Sequence, residues 1–315
     1  MRVFNNISEI ERDEKTVLTI GTFDGVHLGH QQIIKKVVEI SKSESLRNLI
    51  ITFYPHPRKV INPNSTISLL TTQDEQAEIL SLLGIDNHLK INFTRSFAEI
   101  TSYQFIKEFI VERIGIKKIV IGHDHHFGKS REGNVDFLKS ISAEFGFDVI
   151  EILPFEIDSK VVSSSVIRNE LQNGNITSAN KMLGRNYFFT GEVINGDGRG
   201  RTLGYPTANI KLDDEDKLLP MLGIYVVFIF IDGVRYNGLL SVGKRPTFYN
   251  DGSIVPEVFI YDFQSDIYGK KVKVEILEKI RGEEKFDSAE ELIKQMDSDK
   301  ENGIKIFNKL NQLNN

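Results

Sequence analysis

The segment Gly21-Thr-Phe-Asp-Gly-Val-His-Leu-Gly-His30 gathers three glycines and two histidines directly after a short apolar run. Glycines at 21, 25 and 29 let the backbone turn tightly and approach a ligand closely. A helix opening there presents unpaired N–H groups to phosphate oxygens. His27 and His30, three residues apart, share a helix face and can hydrogen-bond a triphosphate. The spacing is neither that of the lysine-bearing phosphate loop nor that of the dinucleotide fingerprint. Alone, the segment reads equally well as a glycine turn with two surface histidines.

Three more segments of the first half carry related chemistry. Phe53-Tyr-Pro-His56-Pro-Arg58 offers an imidazole and a guanidinium beside a proline turn, and Gly122-His-Asp124-His-His-Phe127-Gly128 is rich in histidine. Ser163-Ser164-Ser165-Val-Ile-Arg168 places a serine to cap a helix, with an arginine that can reach a β- or γ-phosphate. Each has a plain alternative: a proline turn, a histidine-rich loop, an ordinary cap. Metal binding by His123, His125 and His126 is disfavoured, because the chain has no cysteine and no helical i, i+4 histidine pair. All seven histidines lie between His27 and His126, so imidazole chemistry belongs to the first half.

In the second half, Gly196-Asp-Gly198-Arg-Gly200-Arg201-Thr-Leu-Gly204-Tyr-Pro-Thr207-Ala-Asn209 is the most distinctive segment of the chain. Its glycines can wrap backbone amides around phosphates, and Arg199 and Arg201 add charge. Thr207 and Asn209 offer neutral oxygens suited to a magnesium ion that keeps several waters. A flexible hairpin loop with solvated arginines is the competing reading. Glu257, after Pro256, is a candidate general base for a hydroxyl, although a lone glutamate beside a strand is more often solvated.

These segments need elements to hold them. Apolar, β-branched runs at residues 17–20, 49–53, 89–93, 118–121 and 148–152 predict five strands. Helices are expected between them, at 31–41, from the capping boxes Thr72-x-x-Glu75 and Thr101-x-x-Gln104, and at 135–145. That alternation predicts an α/β unit, a Rossmann-like parallel sheet with helices on both faces. Ligands of such sheets bind beyond the carboxyl ends of the strands, where the glycine and histidine segments fall. After residue 184 the pattern changes to strands at 187–194, 223–231, 235–242, 257–261 and 271–280, joined by turn-rich loops. An antiparallel sheet or small barrel is expected there, followed by one helix capped by Ser288. The domain boundaries are expected at 1–184 and 185–315, joined by a short helical link.

Bulk properties narrow the functions. A chain of 315 residues holds two cores. A net charge of −5 argues against nucleic acid as a partner, while local clusters such as Arg58/Lys59 and Lys129/Arg131 suit small anions. No apolar run is long enough to span a membrane, and the N-terminal residues lack the pattern of a signal peptide. Zero cysteines fit a cytoplasmic protein. The oligomeric state is open, a homo-oligomer included.

The motifs GTFDGVHLGH, HPR, G-x-D-x-x-FG and VSSSVIR resemble the FMN adenylyltransferase module of prokaryotic FAD synthetases. The resemblance implies ATP binding by Gly21, Phe23, Asp24, His27, His30, Asp124, Ser164, Ser165 and Arg168, with His27, His30 and Arg168 stabilising phosphate charge. His56, Arg58 and Phe127 are then candidates for the flavin or its phosphate. His125 stands where that family usually has phenylalanine. GDGRGRTLGYPTAN, GIYVV, SVGKRPTF, PEVFIYDF, DIYGKKV and IRGEEKF resemble riboflavin kinase in the order of its motifs. This implies a six-stranded β-barrel with a C-terminal helix, magnesium and ATP at Thr207 and Asn209, and Glu257 as base toward the ribityl hydroxyl. Phe259 replaces a histidine often found two residues beyond that glutamate. The implied substrates and products are riboflavin, FMN, FAD and ATP. An enzyme with one live activity, a flavin-binding sensor and a non-flavin nucleotidyltransferase are the competing readings.

Overall fold

A computed structural model describes residues 1–64, 67–196, 204–244 and 254–313. The chain divides into two compact units, Met1–Ser164 and Ser165–Asn315.

In the first unit, β1 (Arg2–Phe4), β2 (Thr16–Ile20), β3 (Arg47–Tyr54), β4 (Asn87–Asn92), β5 (Lys118–Gly122) and β6 (Asp148–Ile152) form one sheet in the order β1-β4-β3-β2-β5-β6. Every neighbouring pair is parallel. All five residues of β2 are buried, as a central parallel strand covered on both faces requires. One face packs Leu18, Ile20, Leu49, Ile51 and Leu89 against Ile106, Ile110, Leu138 and Ile141. The five expected strands are all present, and β1 is a sixth. Three residues carry no readable period, and β1 exists through its pairing with β4.

The helices of this unit are α1 (Leu28–Glu44), α2 (Pro57–Ile61), α3 (Gln73–Leu82), α4 (Arg95–Ala98), α5 (Ser102–Gln104) and α6 (Val135–Phe145). Both expected capping boxes form, Thr72 with Glu75 and Thr101 with Gln104. The second opens a helix that widens: Phe105–Ile114 is π-helical, and Gly115 N–H bonds back five residues to Ile110 O at 2.9 Å. A small hairpin, β7 (Glu156–Ile157) and β8 (Lys160–Val161), follows the sheet.

The helical link, α7 (Ser164–Gln172) and α8 (Ile176–Leu183), packs with the second unit. Asn180 donates to Ile276 O at 2.9 Å and accepts from Tyr187 N at 2.7 Å, while Ile176, Ala179, Met182 and Leu183 are buried. Next come β9 (Tyr187–Ile194), β10 (Thr207–Leu212), β11 (Gly223–Ile231), β12 (Val234–Lys244), β13 (Ile254–Ile260) and β14 (Lys271–Gly282). They close into an antiparallel barrel in the order β10-β13-β12-β11-β14-β9, the six-stranded barrel expected. Closure brings backbones close: a Cβ at Gly191 would lie 2.3 Å from Lys211 O, so only glycine fits. The C-terminal helix α9 (Ala289–Leu313) places Phe307 against Val226 and Leu239.

Candidate active sites

The glycine loop lies at the carboxyl end of β2, at the sheet's centre, where β3 and β5 flank it. The chain runs from β2 to β3 and β4 on one side, then to β5 and β6 on the other, so this edge is the topological switch point. His27 N-caps α1: its Nδ1 accepts from His30 N at 3.3 Å. The two imidazoles stack with centroids 3.6 Å apart, and Phe23 meets His30 edge-on at 5.1 Å. The loop is bent enough that Phe23 and Val26 both take positive φ, 48° and 38°. At Gly21 an added Cβ would lie 2.9 Å from the Phe23 ring, which would have to shift.

Long-range hydrogen bonds hold this shape. The buried Asp24 carboxylate accepts from Leu70 N at 2.9 Å and Thr71 N at 3.0 Å. Gly25 N donates to Thr71 Oγ1 at 3.0 Å, and the Gln76 amide donates to Thr22 O and Phe23 O. Asp24 therefore holds the loop in shape. Leu70, Thr71 and Gln76 hold the loop, and sequence reasoning missed them. They lie about fifty residues away along the chain, and no local pattern marks them.

Ser164 joins the same loop, its hydroxyl donating to Asp24 O at 2.9 Å. Ser165 is exposed next to it, and the half-buried Arg168 sits one turn further along α7. His56 caps α2 through Arg58 N at 3.2 Å, and the Arg58 side chain is exposed. Asp124 is exposed in the turn after β5. Phe127 corrects its expectation: it is a core side chain, 7% exposed and packed against Phe105 and Phe137, because the loop folds inward after Asp124. The three clustered histidines diverge. His123 bonds Glu151 at 2.6 Å, His126 faces Arg131 O, and His125 Nε2 is buried, with its pKa lowered to about 4 by that burial.

The barrel builds a second site from strand register. Asn209 lies opposite Glu257, Glu257 opposite Ser241, Ser241 opposite Ile224, and Ile224 opposite Arg281. Directly opposed residues share a face, so these five side chains form one row across five strands. Thr207, Phe259 and Leu239 form a neighbouring row. Thr207 Oγ1 donates to Glu257 Oε2 at 3.0 Å. Asn209 is buried against Gly196, where an added Cβ would lie 2.2 Å from its amide nitrogen. Gly204 turns the chain into β10 with φ of 83°. Gly198, Gly200 and Arg201 lie outside the described residues. Beyond Glu257 along the row opens a cavity of about 520 Å³, lined by Ile224, Ser241, Arg281, Glu283, Phe286 and Leu292 among others. The strand spacing puts Ile224 roughly 10 Å from Glu257.

Each unit presents its polar groups where phosphate chemistry can be done, and the class is a two-part transferase. A family model for FAD synthetase matches residues 9–166, and one for riboflavin kinase matches 183–307. The bifunctional riboflavin kinase/FMN adenylyltransferase of Bacillus subtilis is 36% identical over 304 residues, covering 95% of each chain. The protein of the same description from Escherichia coli K12 is 32% identical over 308 residues, covering 98% of this chain and 97% of that one. A solved structure described as a macrolide-efflux protein from Streptococcus pneumoniae superposes with a TM-score of 0.86 at 33% identity, covering 95% and 97%. Efflux is said of that protein; among the described residues here, no helix is long and apolar enough to cross a membrane. The chain belongs to the bifunctional riboflavin kinase/FMN adenylyltransferase family.

Proposed function

We propose that the barrel transfers the γ-phosphate of ATP to the ribityl 5′-hydroxyl of riboflavin, and that the α/β unit then transfers AMP from ATP to FMN. The observation that carries the kinase reading is the row Asn209–Glu257–Ser241–Ile224–Arg281. A tricyclic ring seated in the cavity, against Ile224 and Phe286, leaves a ribityl chain to cover the distance to Glu257. The Glu257 carboxylate takes the hydroxyl proton, and the alkoxide oxygen attacks the γ-phosphorus as ADP leaves. The Thr207 hydroxyl donates to the carboxylate and keeps it aimed.

Thr207 and Asn209 offer neutral hard oxygens that would hold a magnesium ion sharing its coordination with nucleotide phosphates. Bound magnesium would neutralise the phosphate oxygens during transfer.

In the α/β unit the FMN phosphate is already ionised and needs no base. Its oxygen attacks the α-phosphorus of ATP and pyrophosphate leaves. His27, His30 and the α1 N-terminus stabilise charge on the leaving group, and Ser164, bonded to the loop through Asp24 O, assists. Asp24 acts indirectly by holding the loop. His56, Arg58 and Asp124 are assigned to substrate positioning at this sheet edge. The activities divide at 184/185, with α7 and α8 carried by the barrel unit, and both reactions are assigned to the cytoplasm. Incubating the protein with riboflavin, ATP and magnesium, then separating the flavins by chromatography, tests the reading. FMN followed by FAD is expected; neither appearing overturns it.

A further inference from the structure

One turn of α9 gathers ties from three parts of the barrel unit. The Tyr205 hydroxyl donates to the Asp297 carboxylate. Arg281, whose side chain borders the cavity, makes a bidentate pair with the buried Asp299 at 2.8–3.0 Å. Tyr261 donates to Lys300 O at 2.8 Å. Of the three, the Tyr205 bond alone reaches the segment that delivers Thr207 and Asn209. Tyr205 is only 9% exposed, its ring rests on Phe259 at 5.4 Å, and it stands two residues before Thr207. Gly204, with φ of 83°, turns the chain just upstream, and Pro206 stands between Tyr205 and Thr207, so the Tyr205 bond ties this turn to α9.

We propose that Tyr205 and Asp297 are positioning residues of the kinase reaction: their hydrogen bond clamps the start of β10 to α9 and so sets Thr207 and Asn209 for magnesium–ATP. The clamp acts on the nucleotide half of the row. Arg281–Asp299 braces the cavity half separately, so the two substrates respond differently to its loss.

The inference rests on the kinase reading, and steady-state kinetics of riboflavin phosphorylation by the full chain keep the two apart. Failure of the wild-type chain to make FMN sinks the reading itself. If the wild-type chain is active, Tyr205→Phe, which keeps the ring on Phe259, is expected to raise KM for magnesium–ATP about tenfold, the size of one hydrogen bond to a charged group. KM for riboflavin should change less than twofold. Tyr261→Phe, which loosens the same helical turn from just beyond β13, should lower the melting temperature without moving KM for ATP. Asp297→Asn retains an acceptor and should restore most of the affinity lost in Asp297→Ala. Combining Tyr205→Phe with Asp297→Ala should add little to either single change. An unchanged KM for ATP in Tyr205→Phe, or equal increases for ATP and riboflavin, overturns the proposal.

Discussion

Thr207 and Glu257, fifty residues apart in the chain, meet across β10 and β13 with the threonine hydroxyl 3.0 Å from the carboxylate. Asn209 lies directly opposite the same glutamate. One carboxylate is thereby flanked by both neutral oxygen donors assigned to magnesium–ATP. The proposed base and the proposed nucleotide ligands are parts of a single construction.

Glu257→Gln tests that construction with little change of shape, because the amide oxygen can still accept from Thr207. The amide cannot take the ribityl proton, so FMN production should fall about a hundred- to ten-thousand-fold. FAD production from added FMN should be unchanged, since its nucleophile is already ionised. Both rates are read from the same preparation by flavin chromatography. Loss of neither would remove Glu257 from the mechanism.

His27 caps α1 and is proposed to bind phosphate as well, so its alanine variant mixes two effects. His27→Asn keeps a capping oxygen and removes the imidazole. It and His30→Ala should each lower FAD formation about a hundred- to a thousand-fold, the usual cost of one preorganised donor. Riboflavin phosphorylation should stay intact. Near-normal FAD synthesis in both would refute the phosphate role.

Truncation should discriminate sharply between two starts. A fragment beginning at Ser165 retains α7 and α8 and should fold and make FMN from riboflavin. One beginning at Arg185 loses Asn180, which pairs with Ile276 O and Tyr187 N, together with four buried apolar residues. It should melt well below the longer fragment, by circular dichroism. Equal melting temperatures would mean that α8 contributes nothing to the barrel.

Acid should weaken the α/β unit through His88. Its ring is fully buried on β4, with Nε2 at 2.7 Å from Thr52 Oγ1, and burial lowers its pKa to about 3. The unfolded chain takes up this proton near pH 6.5 and the folded chain only near 3. Stability is therefore complete above 6.5 and is lost as pH falls between those values. The loss from this residue at pH 5 is about 2 kcal/mol. Urea midpoints at pH 7.5 and 5 should differ less in His88→Gln than in the wild-type chain. His125 titrates abnormally in the same direction, and its buried Nε2 has no hydrogen-bond partner among the described residues. His125→Phe should raise the melting temperature at both pH values.

Local signals account for what was legible in the order of residues. The helix at Val135–Phe145, the strand at Asp148–Ile152 and both capping boxes involve groups within a few residues of one another. Periodicity and cap chemistry report directly on such short-range contacts. The glycine turns were legible too, because a tight turn with positive φ, as at Gly25 and Gly204, demands glycine. The sequence alone thus determined the two-unit order, the strand-rich character of the second half and the candidate chemistry of each loop.

Other features depend on chain segments that meet only after folding. β1 is defined by β4, the Asp24 carboxylate by amides at 70 and 71, and the alignment of Asn209, Glu257, Ser241, Ile224 and Arg281 by register around a closed barrel. Phe127 turned inward because the core around Phe105 and Phe137 could bury it. Register and burial are set by the lowest free energy of the whole assembly, to which distant residues contribute as much as near ones. The tertiary structure alone therefore decided which motif residues face one another, and which of them hold the loops in place.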